Sequence, residues 1–468
     1  MSENKEHFFE DSEFRVLLEK YEAMRDGASV TFFDVEEFEQ IIDYFLDDFQ
    51  FEEAKKAVSL GFRQHPSSVE ITYKSVQVFI EQGQPQKALK ILNSLPAWEE
   101  KNPEKYFLKG TALCQIGKIK DAEKEFDHAL TLSDEDSFEA LLNIAIAFEN
   151  TRNYELSIKY LLIAIEQEPD NLSVLYDLGY YYDRIHKYDE SIHYYKRYLD
   201  LDPFSESVWY NLGIVYYKTE DLANAIEAYE YAIAINPDYA SAYFNKANAY
   251  ANSGDNGKAI DSYLEFIAIE PDNIQAYCYL GDCYEQEGSF EKALAAFRKV
   301  IEIDNSDPEG WFGAGIVHYR KGEMPDSIAC ILKALEFDRS NVDYWLNLGY
   351  VYEEAGRQHE ALKCYRKVVQ LDHADREGWL SLTGLMMKEG EFEEALPLLR
   401  DAYTRFPGDE GFLLKMAVCH LKAGDAELAA RHLKQALEQD SSLLAEFEYY
   451  YPLPDIDPVI LSIVQQFK

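Results

Sequence analysis

The chain is 468 residues long and carries 86 acidic against 45 basic side chains, a formal net charge of −41 at pH 7. That balance opposes docking on nucleic-acid phosphates or anionic lipid, which call for basic patches, and it speeds association with a basic protein surface. It also serves simply to keep a long exposed array soluble.

No apolar run reaches the ~18 residues that a membrane-spanning helix needs, and the opening MSENKEHFFEDSEF lacks the basic start and apolar core of a secretory leader. The six cysteines (Cys114, Cys278, Cys283, Cys330, Cys364, Cys419) form no CxxC pair and no disulfide framework. A cytoplasmic location is therefore expected.

In chain order, residues 1–34 read as an acidic extension. Phe14, Leu17, Leu18 and Tyr21 fall at i, i+3, i+4 and i+7 and predict an amphipathic helix over 8–25. Residues 1–53 hold 17 acids and 4 bases. Two degenerate helix pairs are predicted at 35–68 (Ala54, Pro66) and 69–102 (Gly83, Ala88). Ten regular units follow at 103–137, 138–171, 172–205, 206–239, 240–273, 274–307, 308–341, 342–375, 376–409 and 410–443. Pro169, Pro203, Pro237 and Pro271 stand 34 residues apart, and the step continues to Pro407. Gly179, Gly213, Gly281, Gly315 and Gly349 keep one phase of this period; Ser191, Ala225, Ala259, Ala293, Ser327, Ala361, Ala395 and Ala429 keep another. A fixed period of this size marks a stack of small units, and small residues at two phases are what close helix contact requires. The one extra residue of 103–137 is expected in the acidic turn Ser133–Ser137. Beyond 443, Pro452 and Pro454 interrupt the pattern. Leu444, Phe447, Tyr450, Val459, Ile460, Ile463 and Val464 predict a segment, 444–468, that caps the last unit or docks on a partner or another copy.

Residues 206–239 show what one unit is. Trp209, Leu212, Gly213 and Tyr216 share a helical face, and Ala225, Ile226, Tyr229, Ala232 and Ile233 repeat that spacing after the turn Thr219–Asp221. Asn236-Pro237-Asp238 ends the second helix, because proline has no amide to donate and restrains the residue before it. Each helix is too short to be stable alone, so it must bury its apolar face against neighbours. Trp209, Leu212, Gly213, Tyr216, Ala225, Tyr229, Ala232 and Pro237 match the eight signature positions of the tetratricopeptide repeat (TPR), and this chain resembles that family over 35–443. The resemblance implies an all-α fold: a right-handed superhelical solenoid of tandem helix–turn–helix units, about ten clear and two degenerate.

Chemistry-bearing motifs are missing. There is no HExxH, GxSxG or dinucleotide-binding glycine motif. The nearest approach to a phosphate loop, Ser253–Lys258, has Asn252 where the first glycine belongs and Ala259 where Ser or Thr belongs. Cys278 and Cys283 read as packing residues rather than metal ligands. No catalytic residue, metal or cofactor is expected, so the chain reads as a non-enzyme.

Function then falls to a surface. In the TPR family, ligands meet first-helix residues on a concave wall. Carried over by unit position, the resemblance selects Tyr176, Tyr180, Arg184, Tyr210, Asn211, Ile214, Tyr217, Phe244, Asn245, Asn248, Phe312, Tyr319, Asn347 and Tyr350 as peptide-binding residues. Aromatic rings offer wide contact at small entropy cost, and the amides of Asn143, Asn211, Asn245 and Asn347, all at unit position 6, suit a peptide backbone. The same residue types belong to the generic repeat pattern, so a scaffold that binds through its convex face and ends, including to itself, stands beside the groove reading. The carboxylate-clamp subtype needs lysine at unit position 5. Tyr176, Tyr210, Phe244 and Cys278 stand there instead, so a basic or apolar protein segment suits the groove better. Gly310, Gly313 and Gly315 fall in one predicted helix at about 1 kcal/mol each against alanine, which marks 308–341 as the softest central unit.

Overall fold

The computed structural model describes residues 12–28, 30–133, 138–451 and 458–467. The first residues of the predicted 8–25 helix, most of the acidic turn after Ser133, and Pro452 and Pro454 lie outside that set. Among the described residues the chain has 27 α-helices, two 3-10 helices and no strand. It divides into two compact units, Met1–Ile235 and Asn236–Lys468.

The 34-residue period has a plain metric. From Leu172 to Gln439 each first helix runs 13 residues and each second helix 14, and three-residue turns and four-residue connections supply the rest. Proline in the connection stops one helix, and an asparagine or aspartate starts the next. Asn171 Oδ1 accepts from Val174 N at 3.1 Å, Asn273 Oδ1 from Ala276 N at 3.0 Å, and Asn341 Oδ1 from Tyr344 N at 3.2 Å. Such caps satisfy amides that the first turn leaves unpaired. Where tryptophan opens a unit, its indole ties the helix to the connection: Trp209 Nε1 donates to Pro203 O at 2.9 Å, Trp311 Nε1 to Asn305 O and Trp345 Nε1 to Arg339 O, both at 3.0 Å.

Within a unit, the second helix lays an aromatic ring on a glycine of the first. In Met1–Ile235, Tyr195 covers Gly179 and Tyr229 covers Gly213; a β-carbon on those glycines would meet the rings at 2.6 and 2.5 Å. In Asn236–Lys468, Phe297 covers Gly281 and Tyr365 covers Gly349. All four rings are buried, each contributing roughly 1.5–3 kcal/mol by the usual transfer scale. At the neighbouring small position Ser157 Oγ donates to Ala145 O at 2.9 Å and Ser191 Oγ to Gly179 O at 2.7 Å.

The turn out of the first helix passes through one left-handed residue. In Asn236–Lys468 it is glycine, for example Gly288 (φ 72°) and Gly322 (φ 78°). In Met1–Ile235 Gly83 and Gly117 hold the same place in two repeats, while Phe49 (φ 57°), Arg152 (φ 58°), His186 (φ 60°) and Glu220 (φ 61°) hold it in the others. A side chain there costs roughly 1–2 kcal/mol that glycine avoids.

Non-repeat helices adjoin both ends of the array. Ser12–Arg25 packs Phe14 against Tyr44 (centroids 5.3 Å) and Tyr21 against Phe45 (5.8 Å) on helix Val35–Asp47. At the other end, Pro458–Phe467 buries Ile460, Ile463 and Val464 beside Ala426–Gln439, and Leu444–Tyr450 packs on Glu410–Lys422. Glu410–Lys422 is buried all round from Phe412 to Leu421, as expected of a helix with neighbours on every side.

The glycines of Pro308–Arg320 are contact points. Val300 lies against Gly310, Phe297 against Gly313 and Ile331 against Gly315. The ring of Phe297 is thereby held between Gly281 of its own repeat and Gly313 of the next. Ser327 Oγ, by contrast, is buried with no hydrogen-bond partner in the protein. Gly313→Ala should therefore destabilise the chain by about 1–3 kcal/mol through overpacking, despite alanine's better helix propensity. Ser327→Ala, which removes an unsatisfied hydroxyl, should be neutral or stabilising by up to about 1 kcal/mol. Urea denaturation read by circular dichroism checks both; a stabilised Gly313→Ala would refute the seat.

His420, 4 % exposed, and His432 lie with ring centroids 5.4 Å apart, and His432 Nδ1 is buried without a partner. Burial lowers the pKa of both; Arg400 adds to this at both, His420 and Arg431 add at His432, and Asp425 opposes it. A base whose folded pKa is depressed binds its proton more readily unfolded, so its stabilisation is present above the unfolded pKa near 6.5 and lost as pH falls through it. Between pH 7 and 5 the wild type should lose more thermal stability than His432→Gln. Parallel melting profiles across that range would show that the pair does not titrate on unfolding.

Candidate functional site

First helices of neighbouring repeats touch in both units, as Leu172–Arg184 does Glu206–Lys218 and Ile274–Gln286 does Pro308–Arg320, so their outward residues form shared walls. On the wall of Met1–Ile235, Asn211 Nδ2 donates to Tyr176 OH at 3.1 Å, joining predicted residues of adjacent repeats. Tyr176 sets its ring edge-on to Tyr195 (6.2 Å) and Tyr198 (6.5 Å), while Tyr210 tilts against Tyr229 (5.9 Å). Tyr180, Ile214 and Tyr217 are half-buried beside them. Arg184 is exposed and lies over the ring of Tyr154 at 5.8 Å, on the preceding repeat's second helix. Asp177, at the position that Asn211 holds in the next repeat, has its carboxyl pushed up to about 6 by burial and, secondarily, by Glu149.

On the wall of Asn236–Lys468 the predicted residues separate. Phe244, half-buried, sits among Tyr263, Phe266 and Tyr279, at 6.0, 5.1 and 5.9 Å. Asn248 Oδ1 accepts from Tyr263 OH at 2.5 Å, and Asn347 Nδ2 donates back to Asp343 O of its own helix at 2.8 Å. Asn245 is half-buried and Asn143, in the other unit, is exposed. Asn211 and Asn347, both at unit position 6, thus bond to different kinds of partner. Phe312 stacks near Tyr344 at 4.5 Å. Tyr319 OH donates to Glu354 Oε1 at 2.8 Å, and Tyr350 OH to Glu377 Oε1 at 2.5 Å.

Sequence reasoning missed an ionic ladder along these walls. Lys218 Nζ meets Asp183 at 2.7 Å, Arg320 meets Glu285 at 3.3 Å, and Lys388 meets Glu353 at 2.8 Å. In each pair the acid is the twelfth residue of one unit and the base the thirteenth of the next, 35 residues on. Read along the period, that alternation was present in the sequence.

One cluster has metal-ligand chemistry. Ligand atoms of His318, Glu323 and Asp326 lie within 4.8 Å of one another, with His318 Nδ1 2.6 Å from Glu323. Lys321 Nζ stands 3.0 Å from the same carboxylate. An ammonium there competes with any cation, and we assign the cluster no metal role.

Family models of the tetratricopeptide repeat match residues 107–171 and 176–240, the second over the Tyr195–Gly179 and Tyr229–Gly213 seats. The chain belongs to the tetratricopeptide repeat family. Residues 239–447 of this TPR protein match the model described as cilia and flagella-associated protein 70 C-terminal domain. Among solved structures, it is similar to MamA at 30% identity, covering 35% of this chain and 95% of that one, with a TM-score of 0.34. It is also similar to YrrB, titled a TPR protein with an unusual peptide-binding site, at 23% identity, covering 40% and 97%, TM-score 0.35. The C-terminal part of a TPR repeat-containing protein from Cytophaga hutchinsonii aligns at 18% identity, covering 52% and 98%, TM-score 0.44. No curated protein matches the chain. Membership supports a protein-interaction module in general terms, and no helix among the described residues is long and apolar enough to cross a membrane.

Asp183 is 8 % exposed, so removing its cation leaves a nearly buried carboxylate alone. Lys218→Met should cost about 1–3 kcal/mol, and Asp183→Leu with Lys218→Met should recover most of that. The shift of the urea midpoint checks this. A double variant as unstable as the single one would show that the pair's charges are not what matters.

Proposed function

We propose that this protein is a non-catalytic cytoplasmic adaptor or chaperone-like holder, which binds an extended segment of a partner protein along the first-helix wall of Met1–Ile235. Tyr176, Tyr210, Asn211, Ile214 and Tyr217 form its contact surface. The observation that carries the reading is the Asn211–Tyr176 bond between repeats. It places an amide and a half-buried ring in register on one wall, where a peptide backbone and an apolar side chain would each find a complement. The excess of acid on this chain, with Asp177 beside Glu149 on the same wall, favours a basic or apolar segment over an acidic one.

A scaffold role, through second-helix faces and chain ends or by self-association, is the second reading. It draws support from residues 239–447, which resemble the C-terminal domain of a protein named for association with cilia and flagella.

Capture of partners by the wild-type chain beside Tyr176→Ala/Tyr210→Ala/Tyr217→Ala, with folding of both verified by circular dichroism, separates the two. On the groove reading the triple variant loses its partner by tenfold or more, equivalent to roughly 1.4 kcal/mol. Equal capture by both chains would move the interaction off this wall and leave the scaffold reading in place.

A further inference from the structure

Helix Leu444–Tyr450 lies beyond the repeat period, yet it completes a site on the first-helix wall of Asn236–Lys468. Its Tyr449 and Tyr450 line a cavity of about 670 Å³ together with Tyr319, Tyr350, Glu353 and Glu354. Tyr449 is 69 % exposed, so core packing does not explain its place there.

The charges around this cavity do not balance. Its two lysines are already matched, Lys388 Nζ to Glu353 at 2.8 Å and Lys415 Nζ to Glu446 at 2.7 Å. Glu354 accepts from Tyr319 OH, and Glu377 accepts from Tyr350 OH, whose ring lines the cavity. Among the described residues, neither of these glutamates forms an ion pair with a lysine or arginine. A phenol hydroxyl orients a carboxylate without cancelling its charge. Of the two, Glu354 lines the cavity, and an oriented anion beside several ring faces is the complement of a planar cation. A guanidinium can donate through its fork to the Glu354 carboxylate and lie flat on a ring, whereas an ammonium offers a point charge and a neutral isostere offers neither attraction.

We propose that this cavity takes an arginine side chain from a segment of a partner protein. The proposal rests on the reading of the first-helix walls as peptide-binding surfaces, and it gives one contact a definite chemistry.

The test uses the full chain and the probe N-acetyl-Gly-Arg-Gly-amide, observed by ligand NMR up to millimolar concentration. Parallel probes carry lysine or citrulline in place of arginine. The arginine probe should bind at least about tenfold more tightly than citrulline and measurably more tightly than lysine. Tyr449→Ala and Glu354→Gln alter exposed side chains, and each should weaken arginine binding severalfold while circular dichroism stays unchanged. Absence of binding, equal binding of arginine and citrulline, lysine binding as tightly as arginine, or variants that bind like wild type would each overturn the assignment. Tyr176→Ala/Tyr210→Ala/Tyr217→Ala should keep wild-type binding of the arginine probe. If partner capture depends on those tyrosines while the probe ignores this cavity, the arginine site alone fails.

Discussion

The fold depends on the contact between an aromatic ring and a glycine sixteen residues before it. Tyr195 on Gly179, Tyr229 on Gly213, Phe297 on Gly281 and Tyr365 on Gly349 all use it. The ring needs a seat with no β-carbon, the seat lies in one helix and the ring in the other, and so the contact fixes how the pair closes. Turn length, connection length and caps follow as the geometry that brings ring and seat together every 34 residues. In Phe297 the same contact also joins two repeats, because the ring meets glycine on both sides. Nearest-neighbour packing of this kind is what lets a solenoid stand without a single central core.

Charge is organised on a second level. A chain with a net charge of −41 would repel itself if its carboxylates were left to solvent at random. Along the first-helix walls, some of these carboxylates are instead matched to a base in the next repeat, as in Asp183–Lys218, Glu285–Arg320 and Glu353–Lys388. Others accept tyrosine hydroxyls and keep their charge, as Glu354 and Glu377 do. The walls therefore combine internal neutralisation with a residue of directed negative charge.

Much of this was legible in the sequence because the period is strict. Proline, glycine and alanine at fixed phases gave the helix pairs, and the eight residues from Trp209 to Pro237 gave the family. The site was less legible. Phe244 shares unit position 5 with Tyr176, but its half-buried ring has three aromatic neighbours, Tyr263, Phe266 and Tyr279, that no position in a pattern announces. Asn347 was selected as part of an amide row, but its side chain bonds back to its own helix. A pattern of positions records which face a residue occupies; it does not record which neighbour wins its hydrogen bond. The place of Leu444–Tyr450 beside the wall was also out of reach, since nothing in a short aromatic segment after the last repeat distinguishes a cover from a lining. The glycines of Pro308–Arg320, which look like weakness when each helix is scored alone, acquire their meaning only from Val300, Phe297 and Ile331.

The left-handed turn residues set the repeats from 138 to 239 apart from those that follow. Asn236–Lys468 has glycine at this place, whereas Met1–Ile235 has Gly83 and Gly117 there in two repeats and Phe49, Arg152, His186 and Glu220 in the others. Glycine at such a turn presents bare backbone to the solvent. Arg152, His186 and Glu220 hold charged or ring-bearing groups along the same edge, against a backbone preference that works the other way. In terms of repeat engineering, these repeats are not interchangeable with those that follow: consensus units grafted over 138–239 would relieve three strained turns and erase the edge chemistry those turns display.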